Sequence, residues 1–422
     1  MTVTVFPSRL SGVVPAIASK SVLHRLLICS ALSDGETRID NVTMSKDIAA
    51  TISAAAGLGK SVTFCDGSLY VRDGVRSEVI NVNESGSTFR FILPVAAAVS
   101  NGAFLTVNGS DYLASRPISP LYEQLVAHGA VLSEKGRFPM RIGGKLSSGE
   151  YTLPGNISSQ FISGLLFALP LCDGDSRIII EGKLESKPYI DITVGCLKEF
   201  GISIERTENG YFVRGGQKYV SPDVTECEGD CSNAAFFLAA GALSDNFTGV
   251  SGLKASTAQG DVAVIELLER FGAEKRDGDG CVEFRGAALN AIDIDASDIP
   301  DLVPILSLVA SVASGETTIY GASRLRLKES NRLFSVSDVL SRLGASITET
   351  ADGLSIVGVE RLHGGRVSAH NDHRIAMTAA IASLVSDGEI VIDGFEAINK
   401  SYPDFIRDFT AVGGNLEITD AN

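Results

Sequence analysis

One structural unit recurs six times along this chain of 422 residues. Each copy is marked by a small polar turn before a short strand, and the second residues of successive turns lie 67, 72, 72, 69 and 73 positions apart. The six turns are Asp34–Thr37, Asn101–Ala103, Asp173–Asp175, Asp245–Phe247, Ser314–Thr317 and Asp387–Glu389. A fixed period of this kind restricts the chain to architectures built from one repeated supersecondary unit.

Each unit contains two kinds of helix followed by short alternating strands. The first helix is apolar nearly all round, which indicates a buried position. Its markers are Leu26–Ile28, Phe91–Leu93, Leu165–Phe167, Phe236–Leu238, Ile305–Leu308 and Ala379–Ile381. The second helix is amphipathic, and in four units it ends at a glycine suited to a left-handed C-cap, namely Gly129, Gly201, Gly272 and Gly344. The repeat therefore predicts an α/β fold.

A chain of six such units is too long for a single hydrophobic core, so we expect two lobes of three units each. An open solenoid would need polar capping units at its ends, and none is evident in the sequence. The strand-like piece Val3–Val5 precedes the first unit and is expected to complete the last one. With a second crossing near Pro222–Gly229, the predicted lobes are residues 1–18 with 228–422, and residues 19–227.

The bulk composition excludes several classes of partner. A net charge of −15 argues against general binding to nucleic acids or anionic membranes, since both require a basic field. With neither a long apolar span nor a charged and apolar leader, we expect a cytoplasmic protein. The seven cysteines are scattered, mostly in apolar runs, and are predicted to be buried free thiols. Cys227 and Cys231 lack a second pair for a zinc site.

Polar and cationic residues open the apolar helices. The motifs are Lys20-Ser21-x-x-x-Arg25, Ser85-Gly86-Ser87-Thr88-x-Arg90, Ser158-Ser159-Gln160, Asp230-x-Ser232-Asn233, Asp298-x-x-Asp301 and Asn371-Asp372-His373-Arg374. Ser, Asp and Asn are ordinary N-caps at such positions. Lys and Arg instead oppose the positive end of the helix dipole, so they indicate a bound anion that faces both.

A second set of cationic motifs precedes the amphipathic helices. It comprises Ser45-Lys46-Asp47, Ser115-Arg116-Pro117, Ser186-Lys187-Pro188-Tyr189, Lys254-x-Ser256-Thr257, Lys328-Glu329-Ser330-Asn331-Arg332 and Lys400-Ser401-Tyr402-Pro403. Guanidinium groups bind phosphate and carboxylate bidentately. The two sets together predict a site for two small, multiply charged molecules.

Two other motifs are interpreted as structural. Ala54-x-x-x-x-Gly59-Lys60-Ser61 matches a relaxed phosphate-loop pattern, but it follows a helix and precedes a strand, the reverse of the required order. His370-x-x-His373 has no further ligand at metal-binding spacing, so we interpret His373 as a hydrogen-bond donor or acid.

Taken together and in order, these motifs resemble the 5-enolpyruvylshikimate-3-phosphate synthase family. The resemblance also covers Ile299-Pro300-Asp301 and Arg326-x-Lys328-Glu329-Ser330-x-Arg332, and it extends over essentially the whole chain. It implies an inside-out α/β barrel fold, the enolpyruvyl transferase fold, with two lobes each of three βαβαββ units and the active site in the cleft between them. His24 and Arg324 stand where many relatives have asparagine.

The resemblance also implies the reaction. The enolpyruvyl group of phosphoenolpyruvate is transferred to the 5-hydroxyl of shikimate 3-phosphate by addition and elimination, with release of phosphate, in the pathway to aromatic amino acids. No metal and no organic cofactor are implied. The expected partners are these two small molecules, with neither nucleic acid nor membrane, and we expect a monomer.

Residue roles follow from the resemblance position by position. The catalytic set is Asp301, Glu329, Lys20 and His373. The shikimate 3-phosphate set is Lys20, Ser21, Arg25, Ser158, Ser159, Gln160, Ser186, Tyr189, Asp301, Arg324 and Lys328. The phosphoenolpyruvate set is Lys20, Gly86, Arg116, Gln160, Arg332, Arg374 and Lys400.

The assigned chemistry needs one base and one acid. Asp301 would take the hydroxyl proton, because a carboxylate beside Lys and Arg stays ionised. Glu329 would protonate the methylene carbon, yet Lys328 and Arg332 favour its ionised form, so its protonation state stays open.

Two alternatives are compared with this interpretation. The sister family transfers enolpyruvate to UDP-N-acetylglucosamine and usually has a cysteine in the loop before the arginine that matches Arg116. Residues 108–115 contain no cysteine, although Asp111 could replace it. The second alternative is a non-catalytic repeat scaffold, which would not need Asp301 and Glu329 beside a cluster of cations.

Overall fold

The chain forms six four-stranded sheets that divide between two compact units. The computed structural model describes residues 1–100 and 102–419. The contiguous unit is Ala18–Glu228, and the split unit is Met1–Ile17 together with Gly229–Asn422. The predicted turn residue Asn101 and the last three residues of the predicted 228–422 segment lie outside the described residues.

The chain begins with two strands of the split unit, β1 (Thr2–Phe6) and β2 (Gly12–Pro15). The contiguous unit follows with α1 (Lys20–Leu32), β3 (Thr37–Asp40), α2 (Lys46–Gly57), β4 (Lys60–Cys65), β5 (Ser68–Asp73), β6 (Val79–Asn83), α3 (Gly86–Val99), β7 (Leu105–Gly109), α4 (Asp111–Ser115), α5 (Leu121–Ala127), β8 (Ala130–Leu132), β9 (Met140–Gly144), β10 (Glu150–Pro154), α6 (Ser159–Ala168), β11 (Ser176–Glu181), α7 (Lys187–Glu199), β12 (Ile204–Thr207), β13 (Gly210–Val213) and β14 (Val224–Glu226). A short 3-10 helix, Leu169–Leu171, extends α6.

The rest of the split unit contains α8 (Cys231–Ala242), β15 (Thr248–Ser251), α9 (Val264–Phe271), β16 (Glu274–Gly278), β17 (Cys281–Arg285), β18 (Ile294–Asp295), α10 (Val303–Ala310), β19 (Glu316–Tyr320), α11 (Arg332–Arg342), β20 (Ser346–Glu349), β21 (Leu354–Val357), β22 (Gly365–Ser368), α12 (His373–Ala382), β23 (Ile390–Asp393), α13 (Phe405–Ala411) and β24 (Asn415–Thr419). Its 3-10 helices are Gly260–Ala263, Ser323–Leu327, Ser383–Val385 and Phe395–Lys400.

All six sheets have the same plan. The contiguous unit holds β14-β3-β5-β4, β6-β7-β9-β8 and β10-β11-β13-β12, and the split unit holds β16-β17-β15-β2, β18-β19-β21-β20 and β22-β23-β1-β24. In each sheet one strand has a parallel neighbour on one side and an antiparallel neighbour on the other. For example, β7 is parallel to β6 and antiparallel to β9. A buried helix, such as α3 between β6 and β7, provides the crossover that a parallel pair requires.

The six apolar helices predicted from the sequence are α1, α3, α6, α8, α10 and α12. Their residues are buried on nearly all sides, because each lies inside its unit rather than on its surface. Within the contiguous unit α3 packs against α6, and within the split unit α8, α10 and α12 pack against one another. The polar N-termini of these helices therefore belong to the interior of each unit.

The amphipathic helices end as predicted. Gly129, Gly201, Gly272 and Gly344 all have positive φ, between +77° and +102°. This is the left-handed region that glycine adopts without a steric penalty from Cβ, so each glycine ends its helix and turns the chain into the next strand.

The N-terminal strand completes the last sheet, as expected. β1 lies between β23 and β24 and is antiparallel to both, with Val3 opposite Ile392 and Ile418. Val3 and Val5 alternate with more exposed neighbours and are fully buried. Residues from the beginning and end of the sequence therefore share one sheet, which makes the split unit discontinuous.

The cysteines are free thiols, and Cys29, Cys172, Cys196, Cys227 and Cys231 are buried as predicted. The prediction fails for Cys65, which is exposed at the end of β4, and Cys281 is only half-buried. Among residues 1–100 and 102–419, no helix is both long enough and apolar enough to cross a membrane.

Candidate active site

Lys20 is the first residue of α1 in the contiguous unit. The side chain of the preceding N-cap residue, Ser19, makes no capping hydrogen bond. The Lys20 ammonium lies 2.9 Å from Asp47 Oδ2, and the two side chains are 16% and 15% exposed. Asp47 is in the first turn of α2. The ion pair therefore fixes Lys20 between two helix N-termini while leaving part of its surface open.

Arg25 lies one turn further along α1 and is buried. Its guanidinium donates hydrogen bonds to Thr193 Oγ1 at 2.7 Å, to the Ser21 carbonyl at 2.5 Å and to the Tyr189 carbonyl at 2.8 Å. These acceptors are all neutral, and no carboxylate in the described part of the chain is ion-paired with Arg25. Burial lowers the pKa of Arg25 to about 10. Arg25 thus keeps an unbalanced positive charge beside the start of α1.

Two guanidinium groups flank Gly86, the first residue of α3. A Cβ atom added to Gly86 would lie 2.8 Å from an Arg116 terminal nitrogen and 2.9 Å from one of Arg90. Arg90 donates to Gln160 Oε1 at 2.8 Å and to the Pro117 carbonyl at 2.9 Å. Only glycine leaves room for both guanidinium groups at this helix start.

Arg116 directly follows α4 and is 9% exposed. Within the described ranges, its buried Nε atom has no hydrogen-bond partner. A buried donor without an acceptor is costly, so this nitrogen is suited to donate a hydrogen bond to an anionic or polar ligand.

The starts of α6 and α7 supply polar residues of the contiguous unit. Ser158 caps α6 by accepting a hydrogen bond from the backbone of Gln160, whose side chain donates to Ser87 at 2.8 Å. Ser159 is the first residue of α6 and is buried. Ser186 caps α7 in a left-handed conformation, with φ +54°. Three residues later Tyr189 presents its carbonyl to Arg25.

The split unit contains a carboxylate held by three cations. Asp301 Oδ1 lies 2.7 Å from Arg332 and 3.5 Å from the Lys328 ammonium, and Oδ2 lies 2.9 Å from Arg374. The side chain of Asp301 is 16% exposed. Neighbouring positive charges favour the ionised carboxylate, which is the form that a base requires.

Arg332 is the centre of this cluster and is 1% exposed. Besides Asp301 it pairs with Glu329 at 2.6 Å and with Asp372 at 2.7 Å. Burial opposes its charge, but the carboxylates of Asp372, Glu329 and Asp301 raise the pKa of Arg332 well above its ordinary value. Arg332 therefore binds three carboxylates of its own unit.

Lys328 and Glu329 lie between the 3-10 helix that ends at Leu327 and the start of α11. Burial lowers the pKa of Lys328, with a further lowering by Arg332 and Arg324, and Asp301 opposes this shift. The Glu329 carboxylate bonds to Arg332, which favours its ionised form. An acid role for Glu329 therefore requires a proton that arrives with or after substrate.

Asp372, His373 and Arg374 form the start of α12. Asp372 is fully buried and accepts hydrogen bonds from Arg332, from Ser330 Oγ at 3.1 Å and from the Arg374 backbone at 3.0 Å. His373 is the first residue of α12 and is 1% exposed. A single N-cap carboxylate thus fixes the guanidinium of Arg332 and the backbone of Arg374.

Lys400 and Arg324 are anchored by backbone carbonyls of the split unit. The Lys400 ammonium donates to the Asn371 carbonyl at 2.8 Å. Arg324 donates to the Ser297 carbonyl, and both cations are less than 10% exposed. Each has a fixed direction in the apo protein.

The predicted site residues therefore fall into separate groups of contacts. In the contiguous unit, Arg25 joins Ser21 and Tyr189, while Gly86 adjoins Arg116. In the split unit, Arg332 joins Asp301 and Glu329. Lys20 and Ser186 lie at the starts of α1 and α7 in the contiguous unit, and Arg324 and Lys400 lie in 3-10 helices of the split unit. Their roles in binding stay predictions.

Several residues of these groups escaped prediction as site residues. Arg90, Asp47 and Asp372 were noted only as parts of motifs, yet each holds a predicted residue in place. The signal was available for Asp372, because an N-cap aspartate immediately before cationic residues marks a buried helix start.

A buried polar chain behind Gly86 was also missed. His24 Nδ1 lies 2.6 Å from Thr51 Oγ1, which lies 2.7 Å from Thr88 Oγ1, which in turn lies 2.8 Å from Ser85 Oγ. Burial and the charges of Lys20 and Arg25 lower the pKa of His24 well below its ordinary value. His24 is therefore neutral and links α1 to the start of α3.

The relaxed phosphate-loop motif lies between a helix and a strand, as predicted. Gly59 separates α2 from β4, and the Lys60 ammonium binds the Ser33 carbonyl and Asp73. His370 pairs with Asp338 at 3.0 Å. Over the described ranges, no group of three or more His, Cys, Asp or Glu side chains is placed to hold a metal ion.

Known proteins resemble this chain over its whole length. The family model described as EPSP synthase (3-phosphoshikimate 1-carboxyvinyltransferase) matches residues 5–409. A relative from Clostridium botulinum, named 3-phosphoshikimate 1-carboxyvinyltransferase, is 43% identical over 98% of both chains. A relative of the same name from Clostridioides difficile is 41% identical over 98% of both.

Solved structures agree with the fold. EPSP synthase from Acinetobacter baumannii superposes with a TM-score of 0.82 at 26% identity, covering 99% of this chain and all of that one. The enolpyruvyl transferase NikO from Streptomyces tendae gives a TM-score of 0.80 at 19% identity, over 100% of this chain and 99% of that one, and supports the fold alone. The predicted enolpyruvyl transferase fold is confirmed, and the chain belongs to the EPSP synthase (3-phosphoshikimate 1-carboxyvinyltransferase) family of transferases.

Proposed function

We propose that this chain transfers the enolpyruvyl group of phosphoenolpyruvate to the 5-hydroxyl of shikimate 3-phosphate and releases phosphate. The observation that carries the proposal is the Asp301 carboxylate held by Arg332, Arg374 and Lys328. This is an ionised base fixed among cations that can also bind anionic substrates. The protein would act as a cytoplasmic monomer on these two small molecules, without nucleic acid, membrane, metal or organic cofactor.

The reaction proceeds by addition and then elimination. A proton adds to C3 of phosphoenolpyruvate, which makes C2 cationic, and the 5-hydroxyl oxygen forms a bond to C2 as it loses its proton. The tetrahedral adduct then loses a proton from C3 while the bond between C2 and the phosphate oxygen breaks, and the departing phosphate takes up one proton. The products are the enol ether and inorganic phosphate, and the net proton balance is zero.

The split unit would supply the acid and the base. Asp301 accepts the hydroxyl proton, and Glu329 delivers a proton to C3 once substrate anions offset the charge of Arg332, with His373 assisting. Arg374 and Lys400 would bind phosphoenolpyruvate, and the charge of Arg332 would add to their positive electrostatic field. Lys328 and Arg324 would contact shikimate 3-phosphate. Fixed cations of this kind stabilise the departing phosphate, typically by several kcal/mol in a site that excludes water.

The contiguous unit would supply the remaining anion contacts. Arg25 has no carboxylate partner among the described residues, which suits a ligand phosphate or carboxylate. Ser21, Ser158, Ser159, Ser186 and Tyr189 would complete the shikimate 3-phosphate contacts. Arg116, Gly86 and Gln160 would surround phosphoenolpyruvate, with Lys20 between the two substrates.

The nucleotide-sugar reaction and the non-catalytic scaffold remain the alternatives. Neither is favoured by a specific observation. A non-catalytic scaffold would not need a carboxylate paired with three cations. Burying such a cluster costs desolvation free energy, which a scaffold would have no functional reason to spend.

Substrate choice is tested by an assay for inorganic phosphate. Phosphoenolpyruvate is supplied with either shikimate 3-phosphate or UDP-N-acetylglucosamine. We expect phosphate release only with shikimate 3-phosphate. Phosphate release only with UDP-N-acetylglucosamine would show that the chain catalyses the sister reaction instead. Phosphate release with neither acceptor would support the non-catalytic scaffold.

The base is tested by Asp301→Asn, which keeps the shape and removes the proton acceptor. We expect kcat to fall by about 10²- to 10⁴-fold, the usual contribution of general acid–base catalysis. Calorimetric binding of both substrates should persist, because Arg332, Arg374 and Lys328 remain. Asp393→Asn is the matched control, since Asp393 pairs with Arg366 at an exposed position. A kcat of Asp301→Asn equal to that of the control would remove Asp301 as the base.

A further inference from the structure

Two successive left-handed residues precede α12 in the split unit. His370 has φ +49° and Asn371 has φ +53°, and neither is a glycine. Asparagine and histidine tolerate this region better than most residues, but it still carries a steric penalty from Cβ. A turn with two such residues persists only when surrounding contacts determine it.

The side chain of His370 supplies such contacts, and both of its partners are on α11. Its Nε2 lies 3.0 Å from Asp338 Oδ2, and its ring stands nearly perpendicular to Phe334, with 5.9 Å between centroids. Asp338 also accepts a hydrogen bond from Arg342 at 2.8 Å. Burial would raise the pKa of Asp338, but the hydrogen bonds from Arg342 and His370 lower it below its ordinary value. His370 therefore bonds to an ionised carboxylate.

The turn that His370 holds carries two contacts of the candidate site. The carbonyl of Asn371 accepts the hydrogen bond from the Lys400 ammonium at 2.8 Å. The next residue, Asp372, bonds to Arg332 at 2.7 Å. A rotation of the turn out of the left-handed region would redirect the Asn371 carbonyl and release Lys400 from its fixed direction.

We propose that His370 is a positioning residue, which anchors the left-handed turn at residues 370–371 to α11 and thereby holds Lys400 in the direction required to bind an anion. The role of Lys400 in binding phosphoenolpyruvate rests on the proposed function above. The anchoring of the turn does not, because it concerns contacts within the apo split unit.

The kinetic test compares three variants of the full-length protein, namely His370→Ala, His363→Ala and His370→Ala/Asn371→Gly. For His370→Ala we expect a KM for phosphoenolpyruvate about tenfold higher, with kcat within about threefold of wild type, since a flexible cation loses binding rather than chemistry. His363→Ala is the matched control, because His363 pairs with Asp387 at 2.9 Å at an exposed position of the same unit. The control should keep the wild-type KM and kcat.

A rescue variant separates positioning from simple loss of packing. In His370→Ala/Asn371→Gly, the glycine adopts positive φ without penalty, while its backbone carbonyl remains available to Lys400. We expect the KM of this double variant to return at least half of the way, on a logarithmic scale, to that of the wild type. A KM as high as that of His370→Ala would overturn the proposal.

Hydrogen exchange tests the turn independently of catalysis. We expect the amides of residues 369–376 to exchange at least several-fold faster in His370→Ala than in His363→Ala, and to be slowed again in the double variant. If the wild type released no phosphate, the proposed function would fail, but this exchange pattern would still support the anchored turn. Unchanged exchange in His370→Ala would overturn it. Should His370→Ala not fold, Asp338→Asn is used in its place, with the same outcomes.

Discussion

Two buried arginines, one in each unit, have opposite electrostatic surroundings. Arg25 of the contiguous unit donates only to a hydroxyl and two carbonyls, and burial lowers its pKa to about 10. Arg332 of the split unit is surrounded by three carboxylates that raise its pKa well above its ordinary value. The first guanidinium has no carboxylate partner among the described residues, whereas the second is paired with three carboxylates.

This difference suggests a division of labour between the units. An unbalanced buried cation is costly until an anion arrives, so Arg25 and Arg116 have the character of ligand-binding residues. The charge of Arg332 is balanced by carboxylates of its own unit, so under the proposed function Arg332 would organise Asp301 and Glu329 for proton transfer. We infer that the contiguous unit contributes anion binding, and that the split unit combines anion-binding cations with the residues that transfer protons.

The largest expected effect is the difference in stability between Arg332→Met and Arg25→Met. Removing Arg332 leaves buried Asp372 without its cation and should cost about 3–5 kcal/mol of unfolding free energy. Removing Arg25 deletes an unbalanced charge and leaves only neutral acceptors unpaired, so the cost should be about 1–2 kcal/mol. Urea unfolding followed by circular dichroism measures both.

Equal losses in the two arginine variants would break the comparison, because Arg25 would then be as well balanced as Arg332. Arg366→Met provides a control at an exposed pair with Asp393 and should change stability by less than about 1 kcal/mol.

An intermediate effect is expected for Gly86→Ala in the contiguous unit. The new methyl group would lie within 3 Å of the Arg116 and Arg90 guanidiniums, and the ends of these side chains must move away. If these cations bind phosphoenolpyruvate, its KM should rise about tenfold, or about 1.4 kcal/mol, with little change in stability. Steady-state kinetics and thermal unfolding provide the two measurements.

Gly195→Ala is the matched control for Gly86→Ala, because a Cβ at Gly195 of α7 meets no atom within 4 Å. It should leave KM unchanged. If Gly86→Ala also left KM unchanged, the contiguous unit would lose its proposed share in binding phosphoenolpyruvate.

The smallest effect concerns pH and the buried His24. Burial, Lys20 and Arg25 lower the pKa of His24 in the folded protein below 6.5, the ordinary value that the unfolded chain retains. The unfolded state therefore binds more protons below pH 6.5, and stability falls as the pH decreases. From pH 7.5 to 5.5 wild type should lose about 1 kcal/mol more than His24→Asn, which cannot bind this proton.

Urea unfolding of wild type and His24→Asn at several pH values gives this difference directly. Between pH 7.5 and 8.5 the two proteins should show the same dependence, which serves as the internal control. Parallel curves below pH 6.5 as well would mean that neither burial nor the cations of α1 lower the pKa of His24 in the folded protein.

The sequence was sufficient to predict the repeated elements. Apolar helices, glycine C-caps and the placement of β1 depend on local composition and periodicity, which the chain displays six times. Cationic residues at helix starts are likewise visible, because Lys20 and Arg374 stand where the helix dipole disfavours them. Family resemblance then supplied the fold class and the reaction.

The sequence could not predict how these charges pair. Arg332 and Asp372 are 40 positions apart, and the choice between a carboxylate and a carbonyl partner depends on packing between units of the repeat. The same applies to the φ values of His370 and Asn371, since Asn371 followed by an N-cap looks like any ordinary helix start. The prediction that Cys65 is buried failed because a short apolar run in β4 lies at a sheet edge with one side in water.

The position of β1 between β23 and β24 affects how the protein can be made. On the ribosome, the contiguous unit has all of its strands once Glu228 has emerged. In the last sheet of the split unit, by contrast, Thr2 cannot pair with Asp393 and Thr419 until these residues have been translated. Such distant pairing slows folding through the entropy of loop closure, and it leaves both edges of β1 open until β23 and β24 have been made. Nascent chains of this protein are therefore most exposed to misassembly at the very sheet that joins their two ends.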